Sequence, residues 1–128
     1  MSNARIIDEI DRAIYAHGVW KVQLRTAIGK GSSTFTPEKV RCDDCCEFGK
    51  WLHGPTISPE MRQGLPHQVV TRLHREFHLA AAKVLEQAVT HHADDAKALF
   101  GGEFSERSEI LVTVLNKWKR ELQLEKAA

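Results

Sequence analysis

The sequence predicts an all-α fold. Three observations carry that expectation. Apolar residues recur at steps of three and four over three long stretches. Capping residues, prolines and glycines sit where those stretches begin and end. No stretch sustains the alternation of period two that a half-buried strand needs.

The first stretch predicts a helix from about Asn3 to Ile28. Ile7, Ile10, Ile14, His17, Trp20 or Lys21, Leu24 and Ala27 or Ile28 form one stripe, with His17 inside it. Gly18 costs helix stability there and leaves room for close approach of another group. The Gly- and Ser-rich run from Gly29 to Ser33 ends the helix. Thr36-Pro37-Glu38 combines a capping hydroxyl, a proline at the first helical position and an acid, predicting a short helix over Pro37 to Arg41. Asp43 is placed to cap a second short helix, about Asp44 to His53, that Gly54-Pro55 stops. Ser58-Pro59-Glu60 repeats the start signal.

Pro66 opens the second long helix, predicted to about His91, with a stripe of Val70, His74, Phe77 or His78, Ala81, Leu85 and Ala88. The last helical region begins near Asp94, is expected to break at Gly101-Gly102 and restarts at Ser105. Its stripe is Ile110 or Leu111, Val114 or Leu115, Trp118 and Leu122. Helices with short connections in a chain of this length pack as an antiparallel bundle.

Composition narrows the function. The chain has 128 residues, enough for one domain with its own core, and the expected unit is a single domain over 1–128 with a core of about 5–123. Its 18 basic and 17 acidic residues are dispersed, and no basic stripe suits a phosphate backbone, which argues against nucleic acid as a partner. The cluster Lys117, Lys119 and Arg120 around Trp118 reads as a solvated helix face. No apolar run approaches the roughly 20 residues of a membrane span, and no basic segment followed by an apolar one suggests a secretory signal. A cytoplasmic location without membrane insertion is expected.

Seven histidines and three clustered cysteines direct attention to metal binding. His74 and His78 stand one turn apart on one helix face, the spacing at which two imidazoles share an ion. Position 75 is Arg, so the glutamate that follows the first histidine in zinc proteases is absent. Such pairs also occur in ordinary cores. His17 strengthens the metal reading, because an imidazole on an apolar stripe needs a polar partner. Zinc closes a tetrahedron of N and S ligands, and the cluster Cys42, Cys45 and Cys46 can supply the sulfur. Cys45 and Cys46 fall in the first turn of the expected short helix, where the dipole favours a thiolate.

Three motifs then occur in order. His17-Gly18-Val19-Trp20-Lys21-Val22-Gln23-Leu24 has the form H-x-x-W-K-x-x-L. Cys46-Glu47-Phe48-Gly49-Lys50-Trp51-Leu52 has the form C-x-x-G-K-W-L. His74-Arg75-Glu76-Phe77-His78 has the form H-x-x-F-H. Together they resemble the chemoreceptor zinc-binding (CZB) domain of bacteria, from about Ile10 to Leu122. The resemblance implies an antiparallel four-helix bundle with an additional short helix carrying the cysteine. It implies one zinc held by His17, Cys46, His74 and His78. Trp20 and Trp51 would pack around the site, and Gly49 would permit close helix approach. It further implies a homodimer and a signalling partner, a chemoreceptor or a diguanylate cyclase.

Cys42 and Cys45 lie outside that motif. An odd cysteine count without a signal argues against disulfides. One of the two is expected to pack in the core and one to be exposed; alternatively either resolves an oxidised Cys46 and releases zinc. His53, His67, His91 and His92 are read as structural, Glu76 and Glu86 as solvated, and Asp11 as exposed rather than a partner of His17. The function expected is regulatory: zinc occupancy, or oxidation of the ligand thiolate, biases helix packing. A hydrolytic three-His zinc site lacks a base at a motif position. A di-iron oxygen-binding bundle wants inward carboxylates. No catalytic residue is assigned.

Overall fold

The structure is a computed structural model that describes residues 2–127. All its regular elements among the described residues are helical: α1 (Ser2–Lys30), α2 (Pro37–Arg41), α3 (Glu47–Leu52), α4 (Pro59–Gln63), α5 (Leu65–Val89), α6 (Ala93–Leu99), a π turn (Phe100–Phe104) and α7 (Ser105–Ala127). No helix is long and apolar enough to cross a membrane among the described residues.

The ends follow local chemistry. Gly31, at φ 72°, stops α1 with its N–H on the Ala27 carbonyl at 2.8 Å, the left-handed termination that glycine adopts without steric cost. Thr36 and Ser58 cap α2 and α4 through their hydroxyls, each with proline in the first turn. α3 departs from expectation. It starts at Glu47, three residues later than the sequence suggested, and Cys46 rather than Asp43 is its cap. The Asp43 carboxylate instead lies 3.8 Å from Nε2 of His53 at the other end of α3. The last helical region does not break at Gly101-Gly102. It widens into the π turn and continues, so α6 and α7 form one unbroken helical path.

The core is built around α5. Val70, Leu73, Phe77, Ala81, Leu85 and Ala88 are buried on one side of it, against Ile10, Leu24 and Ala27 of α1 and Leu111, Leu115, Trp118 and Leu122 of α7. Of the alternatives on α7, Leu111 and Leu115 face inward and Ile110 is exposed. Each fully buried Leu or Phe stabilises by about 1.5–3 kcal/mol. The π turn aims Phe104 into this core, 5.3 Å from the Phe77 ring.

Directions can be read from contacts. α7 runs antiparallel to α1, with Asn3 bonded to the Leu122 carbonyl and Lys119 to Asp11. It also runs antiparallel to α5, through His67 against Trp118 and Glu76 against Arg107. α1 and α5 run the same way: His17 meets His74, and Gly31 lies beside Ala88. Between them the α2–α3 segment descends along α5. Arg41 pairs with Glu86, Val40 meets His78, Cys46 meets His74 and Leu52 meets His67. That descent delivers a cysteine to the level of two histidines.

Candidate metal centre

Three elements converge on one buried point. α1 supplies His17, α5 supplies His74 and His78, and the cap of α3 supplies Cys46. The three imidazoles are 4%, 0% and 3% exposed, so none can satisfy its nitrogens with bulk water. Nε2 of His74 lies 3.2 Å from Nε2 of His17, 3.0 Å from Nε2 of His78 and 3.4 Å from Sγ of Cys46. One ligand-capable atom from each of the four residues lies within 4.8 Å of the other three.

The outer nitrogens explain the orientation. Nδ1 of His17 donates to the Ala13 carbonyl at 2.7 Å, and Nδ1 of His78 donates to the Val40 carbonyl at 2.8 Å. A carbonyl only accepts, so both rings carry their proton on Nδ1 and turn the Nε2 lone pair inward. His74 Nδ1 is buried with no hydrogen-bond partner among the described residues. A proton there has no acceptor. Moved to Nε2, that single N–H cannot serve both His17 and His78, and Nδ1 is left without a donor.

A cation at the centre resolves the conflict. Zn–N bonds of about 2.0–2.1 Å imply tetrahedron edges of about 3.3 Å, close to the 3.0–3.4 Å spacings around His74. The donor set of imidazoles and one thiol suits zinc. Electrostatics agree. Burial pushes His17 down to about 4, against the Ala13 hydrogen bond that raises it. Burial, reinforced by His78 and His17, pushes His74 down to about 2. Burial likewise lowers His78. All three rings are therefore neutral near pH 7, the form a metal requires.

Cys46 corrects a sequence expectation. Its sulfur does accept from the Gly49 N–H, at 3.3 Å, as a cap should. Burial nevertheless outweighs that hydrogen bond and pushes the thiol above its ordinary value. The helix start alone does not make a thiolate here.

The family model of the chemoreceptor zinc-binding domain matches residues 17–85, more than half of the chain, starting at His17 and spanning Cys46, His74 and His78. The chain belongs to the chemoreceptor zinc-binding domain family. No curated protein and no solved structure matches it. Zinc is the cofactor of this CZB domain, and the four residues singled out from the sequence are arranged as a metal site.

The aromatic surroundings of the CZB site differ from expectation. Phe77 and Phe48 stand edge-on to the His17 ring, at 4.9 and 6.1 Å, and Phe48 is 5.2 Å from His74. Trp51 is one layer out, stacked on Phe48, and Trp20 packs on Phe35 while lining a cleft of about 370 Å³. That cleft reaches His17 and Cys46 between α1 and α3. Gly49 does permit a close approach, but of the preceding loop and not of another helix: a Cβ there would lie 1.8 Å from the Asp43 carbonyl oxygen. Gly18 faces open space, with nothing among the described residues near enough to touch a Cβ.

His67, read from the sequence as structural, is structural, with a specific partner that residue order does not show. It is buried and donates through Nε2 to the Leu52 carbonyl at 2.9 Å, holding the end of α3 against α5. The signal was its spacing, seven residues before His74 and so on the same helix face. The expectation for Cys42 and Cys45 is also overturned. They are joined to each other in a disulfide, and neither packs in the core. Asp11 pairs with Lys119 at 2.8 Å, away from His17. His91 and His92 are exposed at the far end of α5, and Glu76 and Glu86 form ion pairs with Arg107 and Arg41.

Proposed function

We propose that His17, Cys46, His74 and His78 bind one zinc ion whose presence couples helix packing to a signalling output. The observation that carries this reading is the closure of four ligand atoms, from three separate elements, within 4.8 Å. The frame is an antiparallel four-helix bundle, single-domain over the whole chain. α1, α5 and the α6–α7 path are its long members, and the broken α2–α3 segment is the fourth side, with Cys46 on its short helix.

When bound, zinc supplies a positive centre that holds the thiolate and the three lone pairs. The residues supply the rest. Ala13 and Val40 fix the tautomers of His17 and His78. Phe48 and Phe77 exclude water from the rings. The cleft beside Cys46 gives small oxidants a route to the sulfur, and a sulfenic acid is a poorer ligand than a thiolate. Loss of the ion leaves buried lone pairs facing one another, so α1 and α3 separate from α5. Zinc, an oxidant or both are the signal, and the domain works as a cytoplasmic homodimer that passes the change to chemotaxis or cyclic-di-GMP signalling. No carboxylate joins the cluster among the described residues, which favours a regulatory centre over a hydrolytic or di-iron one.

Metal analysis of wild type beside Cys46→Ala and His74→Ala tests the reading. One zinc per chain in wild type and large losses in both variants are expected. Undiminished zinc in both variants would overturn it.

A further inference from the structure

The disulfide between Cys42 and Cys45 lies in the one connection that carries two supports of the metal site. Two residues before it, the Val40 carbonyl receives Nδ1 of His78. One residue after it, Cys46 enters the site. Within it, the Asp43 carbonyl packs on the backbone at Gly49, so closely that no side chain fits there. The bridge therefore staples the loop that sets the separation between an anchor of one ligand and another ligand itself. Cys45 is exposed and Cys42 half-buried, which leaves one sulfur open to attack from solvent.

We propose that Cys42 and Cys45 are a reversible thiol–disulfide pair whose oxidised form braces Cys46 in the zinc site and whose reduced form loosens it. This rests on Cys46 being a zinc ligand, as read above. The co-reactant is a dithiol. One thiolate of the dithiol attacks Sγ of Cys45, the Cys42–Cys45 bond breaks, and Cys42 leaves as a thiolate that takes up a proton. The second thiol of the dithiol then attacks the mixed disulfide, freeing the Cys45 thiol and leaving the dithiol as its own disulfide. Two electrons and two protons pass to the protein, and the dithiol is oxidised by the same amount. The freed loop regains backbone freedom between Arg41 and Cys46, at the residues that fix Sγ of Cys46 and the Val40 carbonyl.

This couple is distinct from oxidation of Cys46. It responds to reductant, it leaves the ligand sulfur chemically unchanged, and it acts on how fast zinc departs.

The test uses the zinc-loaded 128-residue chain in two states, treated with oxidised glutathione or with a phosphine reductant that is then removed. Zinc content is measured first, then zinc release to a chromogenic chelator. Thiols are counted by alkylation and mass. One zinc per chain in both states, with release about tenfold faster after reduction, is expected, by the scale of losing groups that orient metal ligands. Cys42→Ser/Cys45→Ser should release zinc at the reduced rate and ignore both treatments. Equal release rates in the two states, or Cys42 and Cys45 remaining fully alkylatable after oxidised glutathione, would overturn the proposal while leaving the zinc site intact. Absence of zinc in both states would instead overturn the ligand reading and this inference with it.

Discussion

Nε2 of His67 lies 2.9 Å from the carbonyl oxygen of Leu52, so the helix that begins at a candidate ligand is pinned at its other end by the helix that carries two more. His67→Ala removes the donor from a buried carbonyl, at about 1–3 kcal/mol. It also frees α3 to shift, so zinc affinity should fall about tenfold. His67→Gln, whose amide can donate, should recover part of both. Thermal unfolding and competition with a zinc chelator measure the two effects. Unchanged affinity in His67→Ala would limit this histidine to the fold.

Zinc-free protein should lose stability in mild acid. The His17 pKa falls to about 4 in the folded chain against 6.5 when unfolded, and His74 and His78 are lowered too. The unfolded chain therefore binds more protons below pH 6.5, and stability drops as pH falls from about 6.5 through 4. For His17 alone the loss is on the order of 3 kcal/mol. Urea midpoints of metal-free protein between pH 7.5 and 4.5 should decline monotonically. A flat profile would show that these rings are not buried neutral.

Two glycines should respond oppositely to alanine. At Gly49 a Cβ would sit 1.8 Å from a backbone oxygen, and the loop before Cys46 must move to admit it. Gly49→Ala should cost more than about 3 kcal/mol and release zinc. At Gly18 a Cβ meets nothing, and Gly18→Ala inside α1 should stabilise by up to about 1 kcal/mol. Thermal melts of both variants and the zinc content of Gly49→Ala measure this.

Much of this was legible because helical period and metal spacing are local signals. His74 and His78 at four residues' separation predict one face, and the stripe holding His17 predicts a buried ring. Both are found. Capping chemistry placed α2 and α4, because Thr36-Pro37 and Ser58-Pro59 act within one turn. The failures are tertiary. Cys46 displaced Asp43 as the cap because the loop is closed by a disulfide and by contact of Asp43 with Gly49, neither visible in residue order. Gly101-Gly102 did not break the last helix, because a π turn absorbs the extra residue and buries Phe104 against Phe77. His67 does lie in the first turn of α5, but its partner, the Leu52 carbonyl, is 15 residues away and so was not visible.

X-ray absorption at the zinc K-edge of the purified protein tests most directly whether three imidazoles and one thiolate share the ion. The result expected is one sulfur at about 2.3 Å and three nitrogens at about 2.0–2.1 Å, with the sulfur shell lost in Cys46→Ala. A wild-type spectrum without sulfur, or one unchanged by that substitution, would contradict the ligand set.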